Sequence, residues 1–481
     1  MGVNAEFLFG ASALVLASDA PEIMRQAADQ GRASGLGPLI QICDGVADDV
    51  QIQAAIDALT SGRTRKEKVV LIGGFTTTTA IDLPSYTILE IQGTITYGGA
   101  DSATFKIITS DTTESIEIYG GELFGNSKAA HCIECDGISN FSIHDILFHN
   151  VRQAGSYVQL WNSSYGQIVN NRFDCNSLGL GVNLFDSCYN ITVSGNAFNL
   201  PYDSAVDVSM VGTTGTIAHN IVISNNTVLG LTAGDGYGFA CHNRVKNITF
   251  ANNKVTNAKY DGVGVIWDGS STQPSNISII GNTINDTSRY GIVTQGLYTS
   301  IVGNIINGCL SNTGINVQRS YSTVAGNICN GNYRGIEVNA DALYTTITGN
   351  ICRDDGSTTS EYGIILTANT DYVNINANDL TGNTIANFLN NSSGTHITVR
   401  NNMGYVTENS STATVLNTAT SIAVAHGLAT TPTRVFITPK ENPTNPVTFW
   451  WVDTVGATNF TINVNADPGA SNLDFDWEAK V

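Results

Sequence analysis

Between residues 203 and 290 the chain gathers side chains suited to acid–base work: Asp203, Asp207, Asp235, His242, Arg244, Asp261, Asp268 and Arg289, interleaved with Tyr237, Trp267 and Tyr290. Two carboxylates several ångströms apart can serve as proton donor and nucleophile, or as acid and base, toward a glycosidic bond. A carboxylate paired with an Arg, Lys or Tyr base suits elimination instead. Aromatic faces beside such groups offer stacking surfaces for sugar rings. Asp207 is the most telling member, because it sits mid-strand in Ala205-Val-Asp207-Val208, where aspartate is disfavoured. Glu337, between Ile336 and Val338, follows the same logic. Asp235, Asp261 and Asp268 each precede glycine, so ordinary turn formation competes with a chemical role. For His242 the plainer reading is a surface histidine. The expected assignment is Asp207 and Asp261 as an acid/base pair, with His242 or Arg244 orienting substrate. Asp203, Asp235, Tyr237, Trp267, Asp268, Arg289 and Tyr290 would contact it.

A repeat must position these groups. One marker is Gly/Asn-Asn-x-apolar, running from Asn170-Asn171-Arg-Phe173 through Gly195-Asn196, Asn225-Asn226, Asn252-Asn253, Gly281-Asn282, Gly303-Asn304, Gly326-Asn327, Gly349-Asn350 and Gly382-Asn383 to Asn401-Asn402. Successive marker asparagines lie 19 to 33 residues apart. A second marker is a glycine opening an alternating strand, as in Gly179-Leu-Gly-Val182, Gly262-Val-Gly-Val265, Gly314-Ile-Asn-Val317 and Gly335-Ile-Glu-Val338. Short strands of period two cannot bury an apolar face alone, but stacked coils form a continuous core. The pattern predicts an all-β parallel β-helix, with asparagine in left-handed turns and its amide bonded to the next coil. Helical solenoids would need long stretches of 3.6 periodicity, which are missing.

On that register, positions one and three after the glycine point inward; the residue before it, and those two and four after, point outward. The outward sets are then Ser204, Asp207 and Ser209; Tyr237, Ala240 and His242; Asp261, Gly264 and Ile266; Tyr290, Val293 and Gln295; and Arg334, Glu337 and Asn339. The predicted organisation is a strand–helix segment over 1–40, a cap with an amphipathic helix over 41–104, the β-helix over 105–405 and a small antiparallel sandwich over 406–481. The cap helix would present Val50, Ile52, Ile56 and Leu59 to the core from an N-cap at Asp48 or Asp49. The Ser/Thr/Asn-rich stretch 407–420 reads as a junction, followed by five strands. In Phe449-Trp450-Trp451, alternation sends the two tryptophans to opposite faces, one buried and one exposed.

Composition narrows the function classes. The 481 residues are 42% hydrophobic and 13% charged, which excludes a disordered chain. With 22 Lys and Arg against 41 Asp and Glu, the net charge of −19 argues against nucleic acid as partner. No apolar run reaches the ~18 residues that cross a bilayer, so membrane insertion is not expected. Phe7–Ala17 has the apolar content of a signal peptide, but Glu6 precedes it and no Lys or Arg does. The nine cysteines are irregularly spaced, and Cys132-Ile-Glu-Cys135 lacks a second pair, so neither disulfides, metal nor another cofactor is expected.

The segment Asp44-Gly-Val-Ala-Asp48-Asp49-Val-x-Ile-Gln53-x-Ala-Ile56, followed by a strand, Pro84-Ser85 and a further strand, resembles the opening of pectate-lyase-like right-handed parallel β-helix proteins. That group includes viral tailspikes and many carbohydrate-active enzymes. Together with the Gly-Asn-x-Ile ladder, the resemblance covers about residues 40–405. The tail, with His426-Gly-Leu428, Thr431-Pro-Thr-Arg-Val435 and Phe475-Asp-Trp477, resembles C-terminal modules of virion-associated and environmental β-helix proteins. The resemblance implies a polysaccharide or cell-surface glycan as partner, a homotrimer, and an extracellular or virion-associated location. It leaves three function classes open: a receptor-binding spike that binds and can also cleave polysaccharide, a dedicated polysaccharide lyase or glycoside hydrolase, and a non-catalytic spacer. The Gly-His-Gly and Arg-Ile-Lys signatures of polygalacturonases, the Asp-Pro-His-Glu of mannuronan epimerases and the Arg-x-Pro-x-x-Arg of pectate lyases are missing, so no catalytic residue carries over.

Overall fold

The computed structural model describes residues 12–36, 39–209, 217–230, 236–269, 272–309, 311–354, 356, 360–441 and 447–481. Each coil of the middle segment gives one strand to a 13-stranded parallel sheet and further short strands to a 25-stranded one. In one coil these are Gly155–Trp161, then Ser164–Val169 and Arg172–Asp174. The register never slips: Val182, Val206, Phe239, Val263, Ile292, Ile315, Ile336 and Ile364 align one above the next. All of them are fully buried. Phe148, Phe173 and Phe198 stack inside the same core at 4.7 and 4.5 Å.

What holds the register is a buried amide ladder: Asn171, Asn196, Asn226, Asn253, Asn282, Asn304, Asn327, Asn350, Asn378 and Asn402. Each side-chain oxygen from Asn196 onward accepts both the backbone N–H and the Nδ2–H of the rung before it, at 2.9–3.1 Å. The left-handed position belongs to the residue before the rung, such as Gly281 (φ 66) or Asn252 (φ 54). The rung itself is the buried partner. Asn383 is therefore not a rung. The ladder passes through Asn378, preceded by Ala377 at φ 56, while the Asn383 Nδ2 donates to the carbonyls of Cys352 and Leu380.

The second marker has a steric cause. A Cβ on Gly262 would lie 2.7 Å from the carbonyl oxygen of Gly291, and one on Gly335 would lie 2.5 Å from that of Gly363. Register places Gly181, not Gly179, at the equivalent position, since Val182 pairs with Val206. A second column runs down the outside at another left-handed turn. It begins as an amide ladder, in which Asn220 donates to Asn190, Asn247 to Asn220 and Asn276 to Asn247. It continues as an exposed ring stack of Tyr298, Tyr321, Tyr344, Tyr372 and His396, with centroids 4.3–5.1 Å apart.

At the N-terminal end, strand Ala13–Leu16 pairs in parallel with Ile40–Ile42 and Val69–Ile72, so it joins the large sheet. Helix α1 (Glu22–Gly31) lies between the first two of these strands in sequence. Helix α2 (Asp49–Asp57) buries Ile52, Ala55 and Ile56, with Leu59 just beyond it. Val50, expected on that face, is 64% exposed. Asp48 makes no cap bond within the helix: its carboxylate accepts from the N–H groups of Gly45 and Thr76, and Asp49 accepts from Thr78. Asp48 thus fastens the helix to the neighbouring long strand, Glu67–Thr77, and Asp49 to the residue just after it.

The C-terminal segment forms two three-stranded antiparallel sheets around its own core of residues such as Val415, Phe460, Phe475 and Trp477. Its described residues form six strands where five are expected, because Glu408–Val415 inside the expected junction pairs with Leu473–Lys480 and buries Ala413 and Val415. Neither Trp450 nor Trp451 is buried. Their strand, Trp450–Asp453, lies at a sheet edge; Trp450 meets Phe475 edge-on and Trp451 stacks on Phe449.

Asn282→Ala would strand the N–H of Asn253 and leave the Asn253 amide, Asn304 Oδ1 and the carbonyl of Phe250 each one partner short. At about 1–3 kcal/mol per stranded buried group, the expected loss is roughly 3–6 kcal/mol, read as a lowered urea midpoint. Asn383→Ala, off the ladder, should lower it by well under half as much.

Candidate functional site

The residue after each inward Val or Ile of the 13-stranded sheet faces outward, and register stacks these into a column. Its members are Thr109, Glu134, Gln159, Asn183, Asp207, Ala240, Gly264, Val293, Asn316 and Glu337. Two residues further along the strands a neighbouring column holds Asp136, Trp161, Phe185 and Ser209. Trp161 and Phe185 stack with centroids 4.6 Å apart. His242 ends the strand that follows Asp207's own in the sheet.

Asp207 occupies the centre of this face. Its Oδ1 lies 3.6 Å from Nε2 of His242, and Tyr237 meets the His242 ring edge-on at 5.7 Å. Burial raises the Asp207 carboxyl above its ordinary value, with His242 opposing the rise. Among the described residues Asp207 Oδ1 has no hydrogen-bond partner, and neither does Asn183 Oδ1 on the adjacent coil. The Asn183 amide is oriented by its other end, where Nδ2 donates to Ser156 Oγ at 2.7 Å; that hydroxyl donates on to Gln159. The side of the face toward the N-terminus carries Glu134, 3.9 Å from Lys106 and 3.6 Å from His131. Burial lowers His131 to about 4, so it is neutral at physiological pH.

Asp261 and Arg289 form a separate centre. Asp261 is fully buried, its two oxygens are taken by Nε and Nη2 of Arg289, and Oδ1 also accepts from the Tyr290 N–H at 3.0 Å. Burial raises the Asp261 carboxyl, and the Arg289 and Tyr290 bonds oppose the rise. The guanidinium lies 4.3 Å from the Tyr260 ring centroid, 5.2 Å from that of Tyr290 and 5.8 Å from that of Tyr237. Asp207 and Asp261 are two coils apart, about 10 Å along the axis at ~4.8 Å per coil, and they stand in different columns. The expected carboxylate pair is therefore not brought together, because Asp261 turns onto Arg289.

The other expected contacts spread out. Asp203 accepts from the Gly236 N–H and from Ser204 in a turn. Asp235 lies outside the described residues. Arg244 sits at a left-handed turn (φ 31) with its N–H on the carbonyl of Thr272. Trp267 lies under Arg319, whose guanidinium is 5.1 Å from the ring, and its N–H donates to Gln295. Exposed Asp268 exchanges hydrogen bonds with Asn243. Glu337 accepts from Arg334 and Thr313.

Trp161, Phe185, Gln159, Asn183 and Glu134 enter the face without having been singled out. Their signal was the same outward register, continued one to three coils toward the N-terminus, where no glycine marks Gly155–Trp161 at the expected place. The tripeptide Asn369-Thr370-Asp371, also passed over, matches the Asn-Thr-Asp of polygalacturonases in letters only. Thr370 is buried and donates to the Thr367 carbonyl, and Asp371 accepts from His396, so the tripeptide shapes a turn.

Residues 87–255 match the family described as right handed beta helix region. The coil stack is a right-handed β-helix. No curated protein matches the sequence. Among solved structures, the chain is similar to a mutant tailspike protein of E. coli bacteriophage HK620 in complex with pentasaccharide, at 13% identity and TM-score 0.53, covering 90% of each chain. It is also similar to the A-module of Azotobacter vinelandii mannuronan C-5 epimerase AlgE4, at 20% identity and TM-score 0.52, covering 74% of this chain and 97% of that one.

A carboxyl held above its ordinary value destabilises the fold wherever it is ionised. The cost is absent below the ordinary aspartate value of 3.8, appears as pH rises past it, and is complete above the raised folded value. Asp207→Asn should therefore melt at or above the wild-type temperature at neutral pH, with the advantage vanishing in acid. Destabilisation at neutral pH would show that Asp207 serves the fold.

Proposed function

We propose that this protein is a surface- or virion-associated β-helix protein that binds polysaccharide along the face from Trp161 and Phe185 to His242. The observation that carries the reading is the half-buried, stacked Trp161–Phe185 pair on the same face as the Asp207 carboxyl and His242. An aromatic face flanked by hydrogen-bonding groups fits a pyranose, apolar on one side and hydroxylated at its rim. The occurrence of the same fold in a tailspike protein in complex with pentasaccharide supports this use of the architecture.

A second reading, a dedicated glycoside hydrolase, is favoured by the environment of Asp207. A raised carboxyl 3.6 Å from a histidine can serve as proton donor or base toward a bound sugar. Homotrimeric assembly belongs to the proposal as well, with the exposed tyrosine column as the longest aromatic feature open to contact. Light scattering at micromolar concentration should then give three times the chain's 50.9 kDa; a monomeric mass would remove this part.

The test of binding is a polysaccharide panel scored by retention, by new reducing ends and by absorbance of unsaturated uronates. Trp161→Ala should weaken retention about tenfold or more while leaving the melting transition in place. Reducing ends abolished in Asp207→Asn would establish the hydrolase reading. Retention with no new ends would establish a binding spike, and silence in all channels would leave a spacer.

A further inference from the structure

We infer that the C-terminal segment carries a second sugar-binding site, a platform of Phe449 and Trp451 beside the amides of Asn463 and Asn465, which takes a pyranose of a polysaccharide. It is distinct from the coil face proposed above, and different residues carry it.

Alternation along Trp450–Asp453 divides its side chains. Trp450, paired with Val464, leans inward onto Phe475, while Phe449, Trp451 and Asp453 stand on the outer surface. Phe449 is 58% exposed and Trp451 41%, and their rings stack with centroids 5.5 Å apart. The turn that presents them is fixed, because Asn465 Oδ1 accepts from the N–H groups of Thr448 and Phe449 at 2.8 and 3.1 Å. Asn465 is itself exposed, so its Nδ2 end lies at the surface beside the rings. The adjacent strand, Asn459–Val464, turns Thr461 and Asn463 outward opposite Asp453 and Trp451, and the strand beyond it turns Ser421 outward opposite Asn463. An aromatic platform bordered by amides, hydroxyls and a single carboxylate matches a pyranose, which offers one apolar face and a rim of hydroxyls.

A second copy of the chain is the poorer occupant. At ~150–250 Å² per aromatic side chain, the exposed fractions of Phe449, Trp450 and Trp451 amount to about 300 Å². Each partner in a standard protein interface contributes about 800 Å². The strand is at the edge of its sheet, yet it is only four residues long and ends on exposed Asp453, two features that discourage the addition of another strand. A sugar ring needs no more surface than the two stacked rings and their polar border supply.

The experiment is a glycan array of neutral, N-acetylated and uronate-containing oligosaccharides, followed by hydroxyl-radical footprinting of the full chain with the strongest hit at saturation. Oxidation of Phe449 and Trp451 should fall about threefold or more on adding the oligosaccharide, in the wild-type chain and equally in Trp161→Ala. Trp451→Ala and Phe449→Ala, each with its melting transition unchanged, should weaken the hit about fivefold or more. Protection confined to Trp161 and Phe185, with Trp451→Ala indifferent, would overturn the platform while the coil face stands. Protection of Phe449 and Trp451 alone would uphold the platform and overturn the coil face. An empty array would overturn both. Rings already shielded without sugar, in a chain whose mass by light scattering drops in Trp451→Ala, would make them a subunit contact and overturn the platform.

Discussion

A buried primary amide is costly unless both its ends are paired, and this fold pairs each with the next copy of itself. From Asn171 to Asn378 each rung gives two donors to the next, and from Asn196 to Asn402 each receives two, so no coil can shift against its neighbour without breaking several bonds at once. The left-handed residue before each rung turns the chain onto the next face, and the glycines of the 13-stranded sheet let adjacent coils approach. Stacked Val and Ile fill the interior, but apolar contact alone tolerates a slip that the amides do not.

Everything outside the coils inherits that register. Because strands align residue for residue, each outward position becomes a column, and neighbours in the column of Asp207 come from segments 21 to 33 residues apart in sequence. Most columns satisfy themselves: the Asn190–Asn276 amides bond along their own line, the tyrosines beyond them stack, and Arg289 and Arg334 close onto carboxylates of their own face. The face of Asp207 differs in kind: a carboxyl raised by burial stands beside His242 and shares its face with the stacked Trp161–Phe185 pair.

The coil pattern was legible because the ladder demands one residue type at one place, and nothing else gives Gly/Asn-Asn-apolar so often. Legibility failed where a different residue met the same demand. Ala377 takes a left-handed turn normally given to Gly or Asn, which hid the Asn378 rung and let Asn383 stand in for it. Val50 follows helical spacing yet points to solvent, since α2 is tied down by Asp48 and Asp49 rather than by a broad apolar stripe. Residues Glu408–Val415 read as a linker from their hydroxyls, though Ala413 and Val415 alternate into a core. For the site, the outward map located Asp207, His242 and Tyr237 together, whereas charge type alone could not tell that Asp261 would spend itself on Arg289. Trp161 and Phe185 escaped notice because an aromatic in a β-rich sequence is more often core than surface.

The ladder's register sets the Trp161–Phe185 stack, Asp207 and His242 on one face, the face proposed to take a sugar. The most direct measurement is a crystal structure with a bound oligosaccharide. It should show a pyranose against the Trp161–Phe185 stack, with a sugar hydroxyl within about 3.2 Å of the Asp207 carboxyl or the His242 ring. Sugar density on another face, such as the tyrosine column or the Phe449–Trp451 edge, with that stack untouched, would contradict it.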